Sequence, residues 1–187
     1  LRRGNDRDRI LAQGAARAGA HYKVTRVPAI KGQSISAYDP RVVEVTGISM
    51  MVSAQGADHT AGNLPVFDCK DKTTEELVVA SLGIQTVCAA ADSLGLCIFG
   101  RSVTNVSAEL IVNALNDAHG TKLDPSFMQK LGLEALRMEW EFNKAAGFTE
   151  KDDELPEFFY AEALAPTGKT ARHHSTEVNR RLRELLA

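Results

Sequence analysis

Apolar residues recur along this chain at helical spacing far more often than they alternate. Asn5 or Asp6 can cap a first helix, with Ile10, Leu11 and Ala15 on one face, running to about Ala18 and ended by Gly19. Asp39-Pro40 has the form of a helix start, Asp at the N-cap and Pro at the first position. Val42, Val45, Ile48, Met51 and Val52 then give an apolar face to about Ala54, with a stop at Gly56. Thr73 and Glu76 make a capping box ahead of the stripe Leu77, Ala80, Ile84, Val87 and Ala91, with Cys88 on the same side. Ser107 caps a helix carrying Leu110, Ile111, Ala114 and Leu115, ended at Gly120. Asp124-Pro125 opens the next, where Phe127, Leu131, Ala135, Met138 and Phe142 share one face and Leu133, Leu136 and Trp140 widen it. So broad an arc predicts packing on two sides. A basic last helix spans Ser175 to Leu186, with Leu182, Leu185 and Leu186 as its apolar side. Strand character is confined to His21 to Ile30, before a turn at Lys31-Gly32.

The pattern predicts an all-α chain: a bundle-like array of about six helices, with at most one short strand or hairpin near the N-terminus. Strands and helices do not alternate, which argues against a doubly wound nucleotide-binding sheet, and neither G-x-G-x-x-G nor a P-loop occurs. Of the 187 residues 44% are apolar, enough for a core in one domain or two small ones. The subdomains, if two, divide at about 1–100 and 101–187. A formal net charge of -2 gives no reason to expect nucleic acid, and no apolar run is long enough to span a bilayer. Three cysteines, Cys69, Cys88 and Cys97, cannot all pair, which suits a reducing, cytoplasmic setting. The chain opens on Leu1 in mid-pattern, as an excised piece of a longer protein would.

Candidate chemistry gathers at Ala90 to Gly100. Asp92 falls where a helix should end, and a carboxylate there opposes the negative end of the helix dipole. Cys97 follows in a glycine-containing turn. A plain cap with Gly95 at positive φ and a structural cysteine would explain this. A donor-rich ligand for Asp92 and a metal for Cys97 would also explain it. His59, in the Gly-bounded loop Gly56 to Asn63, is either a surface histidine or a general acid. His173-His174 and Asp152-Asp153-Glu154 read as solvated linker and turn. The cysteine spacings match no zinc pattern, and a cubane cluster needs four thiolates.

Taken in order, Lys31-Gly32, Ala37-Tyr38-Asp39-Pro40-Arg41, Gly56-Ala57-Asp58-His59, Asp92-x-x-Gly95-Leu96-Cys97, Phe142-Asn143 with Ala146-Gly147-Phe148-Thr149, and Asp152-Asp153 with Leu155-Pro156 resemble the C-terminal part of the aldehyde ferredoxin oxidoreductase family. The resemblance covers Tyr22 to about Phe159. It implies two helical domains, without the N-terminal domain that cradles the metal cofactor. The implied cofactors are a tungsten, or molybdenum, bis-pterin and one [4Fe-4S] cluster. By the same resemblance Cys97 is the fourth cluster ligand, the other three lying in an upstream C-x-x-C-x-x-x-C that this chain lacks. Asp92 accepts from a pterin ring, Gly95 and Leu96 let the backbone approach it, and His59 stands beside the metal.

The implied reaction is oxidation of a small aldehyde to a carboxylate, with ferredoxin taking the electrons. The implied partners are ferredoxin and the missing N-terminal domain, with no nucleic acid and no membrane; a homo-oligomer is compatible with the pattern. The isolated chain is expected to be inactive, to lack both cofactors and to expose a partly apolar face. The rival expectation is a helical interaction module in which Asp92 is a cap and Cys97 a buried thiol. The chain departs from the family pattern at Asp58, where other members carry Cys, and at Gln55, where Arg is expected. The tail from Pro166 also lacks the family's tyrosine-rich and Gly-Trp-Asp segment. Other members activate carboxylates or reduce aromatic rings, so the resemblance does not fix the substrate.

Overall fold

Eight helices and one two-stranded hairpin make up the described residues, 4–100 and 107–186, in a computed structural model of the chain. The expected subdomain boundary near residue 100 adjoins 101–106, outside the described residues. Asn5 does cap α1 (Asp6–Leu11), its Oδ1 accepting from the Asp8 amide at 2.8 Å. The single first helix is in fact two: Gly14, at φ 89°, separates α1 from α2 (Ala15–Tyr22). Gly19 does not end it. It lies buried within α2, where a Cβ would come within 2.4 Å of Val27 Cγ2, and Lys23 in the left-handed region terminates the helix. β1 (Ala29–Ile30) and β2 (Gln33–Ser34) pair antiparallel, Ala29 opposite Ser34. Lys31 at φ 48° and Gly32 at φ 81° supply the two left-handed positions that a tight hairpin turn requires.

α3 (Glu44–Val52) starts later than Asp39-Pro40 predicts. The Asp39 carboxylate closes a turn onto Arg41 instead, taking the amide at 2.9 Å, Nε at 2.9 Å and Nη2 at 2.6 Å. Every residue of α3 from Glu44 to Met51 is buried, so it is the inner helix of the fold. α4 (Thr74–Ser93) opens with the expected capping box and packs against α3, α6 (Ser126–Ala145) and α8 (Ser175–Leu186). Because it is covered on several sides, its buried set is wider than the predicted stripe. Ser81, Gln85 and Thr86 are buried, while Val87 is 39% exposed. Ser81 Oγ meets Ser49 Oγ of α3 at 2.7 Å, and Gln85 Nε2 donates to Ser81 Oγ at 2.9 Å, so the buried polar atoms satisfy one another.

α6 turns a different face to the core from the one its apolar pattern suggests. The contact is Gly132, where a Cβ would sit 2.0 Å from the Thr86 carbonyl oxygen, and Met138 and Phe142 are left 65% and 71% exposed. α5 (Ala108–His119), capped by Ser107 Oγ at 3.2 Å, leans on α6. The short α7 (Phe158–Ala161) brings Phe159 into the core, and α8 closes it with Val178, Leu182 and Leu186.

Candidate functional site

The loop after α3 is pressed between the hairpin and α4. Gly56, at φ 102°, lies so close to the hairpin that a Cβ would be 2.4 Å from the Ile30 carbonyl oxygen. Gly62 lies against Gln85 Cγ and Ile84 Cγ2 of α4. The first carbonyls of the loop are held from below. The side chain of Lys31, 3% exposed, donates to the carbonyls of Met51 at 2.7 Å and Ser53 at 3.1 Å and pairs with Asp153. A cation at the C-terminal end of α3 complements the helix dipole. Asn143 Nδ2 donates to the Ala54 carbonyl at 2.7 Å.

At the tip, Asp58 is buried, and its carboxylate gathers the loop. Oδ1 accepts from the Thr60 amide at 2.8 Å and hydroxyl at 2.7 Å, and Oδ2 from Gln55 Nε2 at 2.5 Å. The two departures noted in the sequence, Gln55 and Asp58, are therefore one contact. The next residue, His59, is half-buried. Its Nδ1 lies 2.8 Å from Ser36 Oγ, and its ring leans over Tyr38 with centroids 5.4 Å apart.

Asp92, Gly95, Leu96 and Cys97 stand together at the far end of α4. The Leu96 amide donates to the Ala91 carbonyl at 2.9 Å and the Gly95 amide to that of Asp92 at 3.0 Å, around Gly95 at φ 67°. This is a Schellman cap, so the role of Gly95 in the plain reading of this stretch holds. Open space surrounds the position a Gly95 Cβ would take. Cys97 is exposed, which removes the reading of it as a buried thiol. The Asp92 carboxylate is exposed too and has no hydrogen-bond partner among the described residues. Desolvation, and after it the charge of Asp92, raises the pKa of Glu139 of α6. Asp92 thus adds a negative charge to a helix end that already repels it.

No contact among the described residues joins His59 to this cap. The link is α4 itself. Asp92 lies seven residues beyond Gln85 on nearly the same helix face, about 10 Å further along the axis. Cys69 and Cys88 are buried, whereas Cys97 is exposed. Among the described residues no three His, Cys, Asp or Glu side chains are grouped to hold a metal ion. The donor set fits one corner of a four-thiolate cluster and one acidic contact to a ring rich in N–H groups.

Sequence reasoning missed two buried constellations. His173 is not solvated but 6% exposed, with Nδ1 2.9 Å from Thr74 Oγ1 and Nε2 3.7 Å from Glu44 Oε2. Arg172 forks onto the same Glu44 at 2.8 and 2.7 Å. Only His174 stays exposed, stacked on Tyr160. The acidic turn is likewise structural: Asp153 takes Lys31 and Asn179, and Glu154 accepts from the Ser175 amide and hydroxyl at the start of α8. Both sets join residues more than a hundred positions apart, and no local pattern announces them. A cleft of about 360 Å³ opens above the Lys31–Asp153 pair, walled by Leu136, Trp140 and Phe148.

Residues 2–187 match the family model described as aldehyde ferredoxin oxidoreductase, domains 2 & 3. The match extends past both ends of the Tyr22 to Phe159 stretch that carries the sequence motifs, and it includes the tail from Pro166. Two similar relatives are named tungsten-containing aldehyde ferredoxin oxidoreductase. The one from Pyrococcus horikoshii is 29% identical over 175 residues, covering 88% of this chain and 28% of the relative. The one from Pyrococcus abyssi is 28% identical over 175 residues, with the same coverage. The chain spans less than a third of the length of these relatives.

Proposed function

The chain belongs to the aldehyde ferredoxin oxidoreductase family, and on that premise we propose that it is the helical part of an enzyme oxidising an aldehyde to a carboxylic acid. Its cofactors are a tungsten, or molybdenum, bis-pterin and a [4Fe-4S] cluster, and its electron acceptor is ferredoxin. The observation that carries this reading is the end of α4. There an exposed carboxylate, unpaired and repelled by Glu139 and the helix dipole, is followed by an open left-handed glycine and an exposed thiol. Nothing within the described residues compensates that charge, and a ligand offering N–H donors would.

Each residue then has a task. Asp92 accepts hydrogen bonds from a pterin ring, and Gly95 and Leu96 allow the backbone to lie close to it. Cys97 gives one thiolate to the cluster, and the rest of the protein gives the other three. His59 offers its outer nitrogen to the substrate oxygen. When bound, the metal–pterin centre supplies the two-electron chemistry and the cluster relays the electrons. Water contributes the added oxygen, and two protons leave with the two electrons. The chain alone, with one thiolate of four, is inactive.

The test is metal content. The protein that carries this chain is purified without oxygen, beside its Cys97→Ser variant. About four iron atoms per protein and a group-six metal are expected, with iron lost in the variant while helix content is kept. Equal iron in both proteins would remove Cys97 from the site. No metal in either would remove the enzyme reading and leave a helical interaction module.

A further inference from the structure

We infer that Ser36 fixes the protonation pattern of His59, donating its hydroxyl hydrogen to Nδ1 so that Nε2 carries the proton and faces outward as a donor. The inference rests on the reading of His59 as the partner of the substrate oxygen, and it names the residue that makes the ring fit for that task. Three observations carry it. Ser36 Oγ lies 2.8 Å from His59 Nδ1, and Nε2 has no protein partner among the described residues. The neighbouring carboxylate does not compete for the ring, because both oxygens of Asp58 are taken by Gln55 and Thr60. The loop itself is pinned on both sides, by Gly56 against the Ile30 carbonyl and Gly62 against α4, so the backbone that carries the ring is held beside the hairpin.

The direction of the hydrogen bond follows from which hydrogen must be left over for the substrate oxygen. The protonated nitrogen of a neutral histidine is set by the bond its other nitrogen makes. If Nδ1–H donated to Ser36, the hydroxyl hydrogen would have no acceptor among the described residues, and Nε2 would offer only a lone pair. With the hydroxyl donating, Nδ1 accepts and the hydrogen left over is on Nε2, where the task given to His59 needs a donor. Ser36 is thus a positioning residue: it acts on the reaction through His59.

The chain is labelled with ¹⁵N, and the two ring nitrogens of His59 are read by long-range proton–nitrogen correlation at mildly alkaline pH, with assignment by a His59→Gln variant. A proton on Nε2 and none on Nδ1 is expected. Ser36→Ala should move the His59 Nδ1 resonance and leave the other histidines in place, and Ser36→Thr, which keeps the hydroxyl, should restore it. A proton on Nδ1 in the unmodified chain would overturn the inference even if the alanine variant failed to fold. So would an alanine variant whose Nδ1 resonance stays put. The measurement needs no cofactor, so its failure is separate from failure of the metal analysis.

Discussion

Glu44 is a buried carboxylate whose partners give the protein an acid response. Burial alone would raise its pKa, but the His173 ring and the Arg172 fork outweigh that and bring it from an ordinary 4.5 to about 2. A folded value below the unfolded one means stability that is complete above pH 4.5 and is lost as pH falls towards 2. Glu44→Gln should cost about 2 kcal/mol at neutral pH, since it replaces the buried carboxylate that holds Arg172 and His173 with a neutral amide. The gap between variant and parent should narrow at about pH 3, where the parent has lost part of the same stabilisation. Urea unfolding at the two pH values measures this, and a gap of constant size would show that Glu44 is not the group responsible. His59, Asp92, Gly95, Leu96 and Cys97 are candidates because ordered short motifs carry them, and the fold sets the last four together at one end of α4. Glu44, Arg172 and His173 could not be picked from the sequence, because a carboxylate and partners 128 and 129 positions away leave no local trace.

Among the elements, α4 and its crossing with α6 decide how the bundle closes. Gly132, at that crossing, and Gly83, on an open side of α4, make a controlled comparison. An alanine at 132 would drive a methyl group into the Thr86 carbonyl, a backbone atom that cannot swing aside. A loss of about 3 kcal/mol or more is expected. Gly83 lies within α4 with nothing near its missing Cβ, so Gly83→Ala should gain about 0.5–1 kcal/mol from helix propensity alone. Opposite shifts in thermal midpoint are expected, and a harmless Gly132→Ala would mean that the two helices do not meet at that point. Helix starts were legible wherever a side chain caps its own amides, as at Asn5, Thr73 and Ser107. The start at Asp39 was misread because that carboxylate took the Arg41 guanidinium in place of helix amides. The face of α6 was misread because apolar periodicity weighs large residues, while the closest approach is set by the smallest one.

At the scale of the whole molecule, the apolar residues left outside matter most. Met138 and Phe142 form a ridge one turn apart on α6, and Phe99, just past the α4 cap, is 93% exposed. Exposed apolar ridges of this kind mark surfaces fit for a partner. The isolated chain should therefore bind a hydrophobic dye, and a Met138→Lys, Phe142→Glu double variant should bind less with its unfolding midpoint unchanged. An absence of dye binding would mean that the ridge is too small to act as an interface. The ion pair beneath the loop has a further consequence, for synthesis. Lys31 emerges from the ribosome 122 residues before Asp153, the carboxylate it is buried with. At translation speeds of about 5–20 residues per second, that is an interval of roughly 6–24 s. Throughout it the hairpin carries a lysine that the finished fold encloses, with no counter-charge yet made. The first half of the chain must wait in solvent for the last quarter, and a nascent chain halted before the acidic turn should remain open to chaperones and proteases.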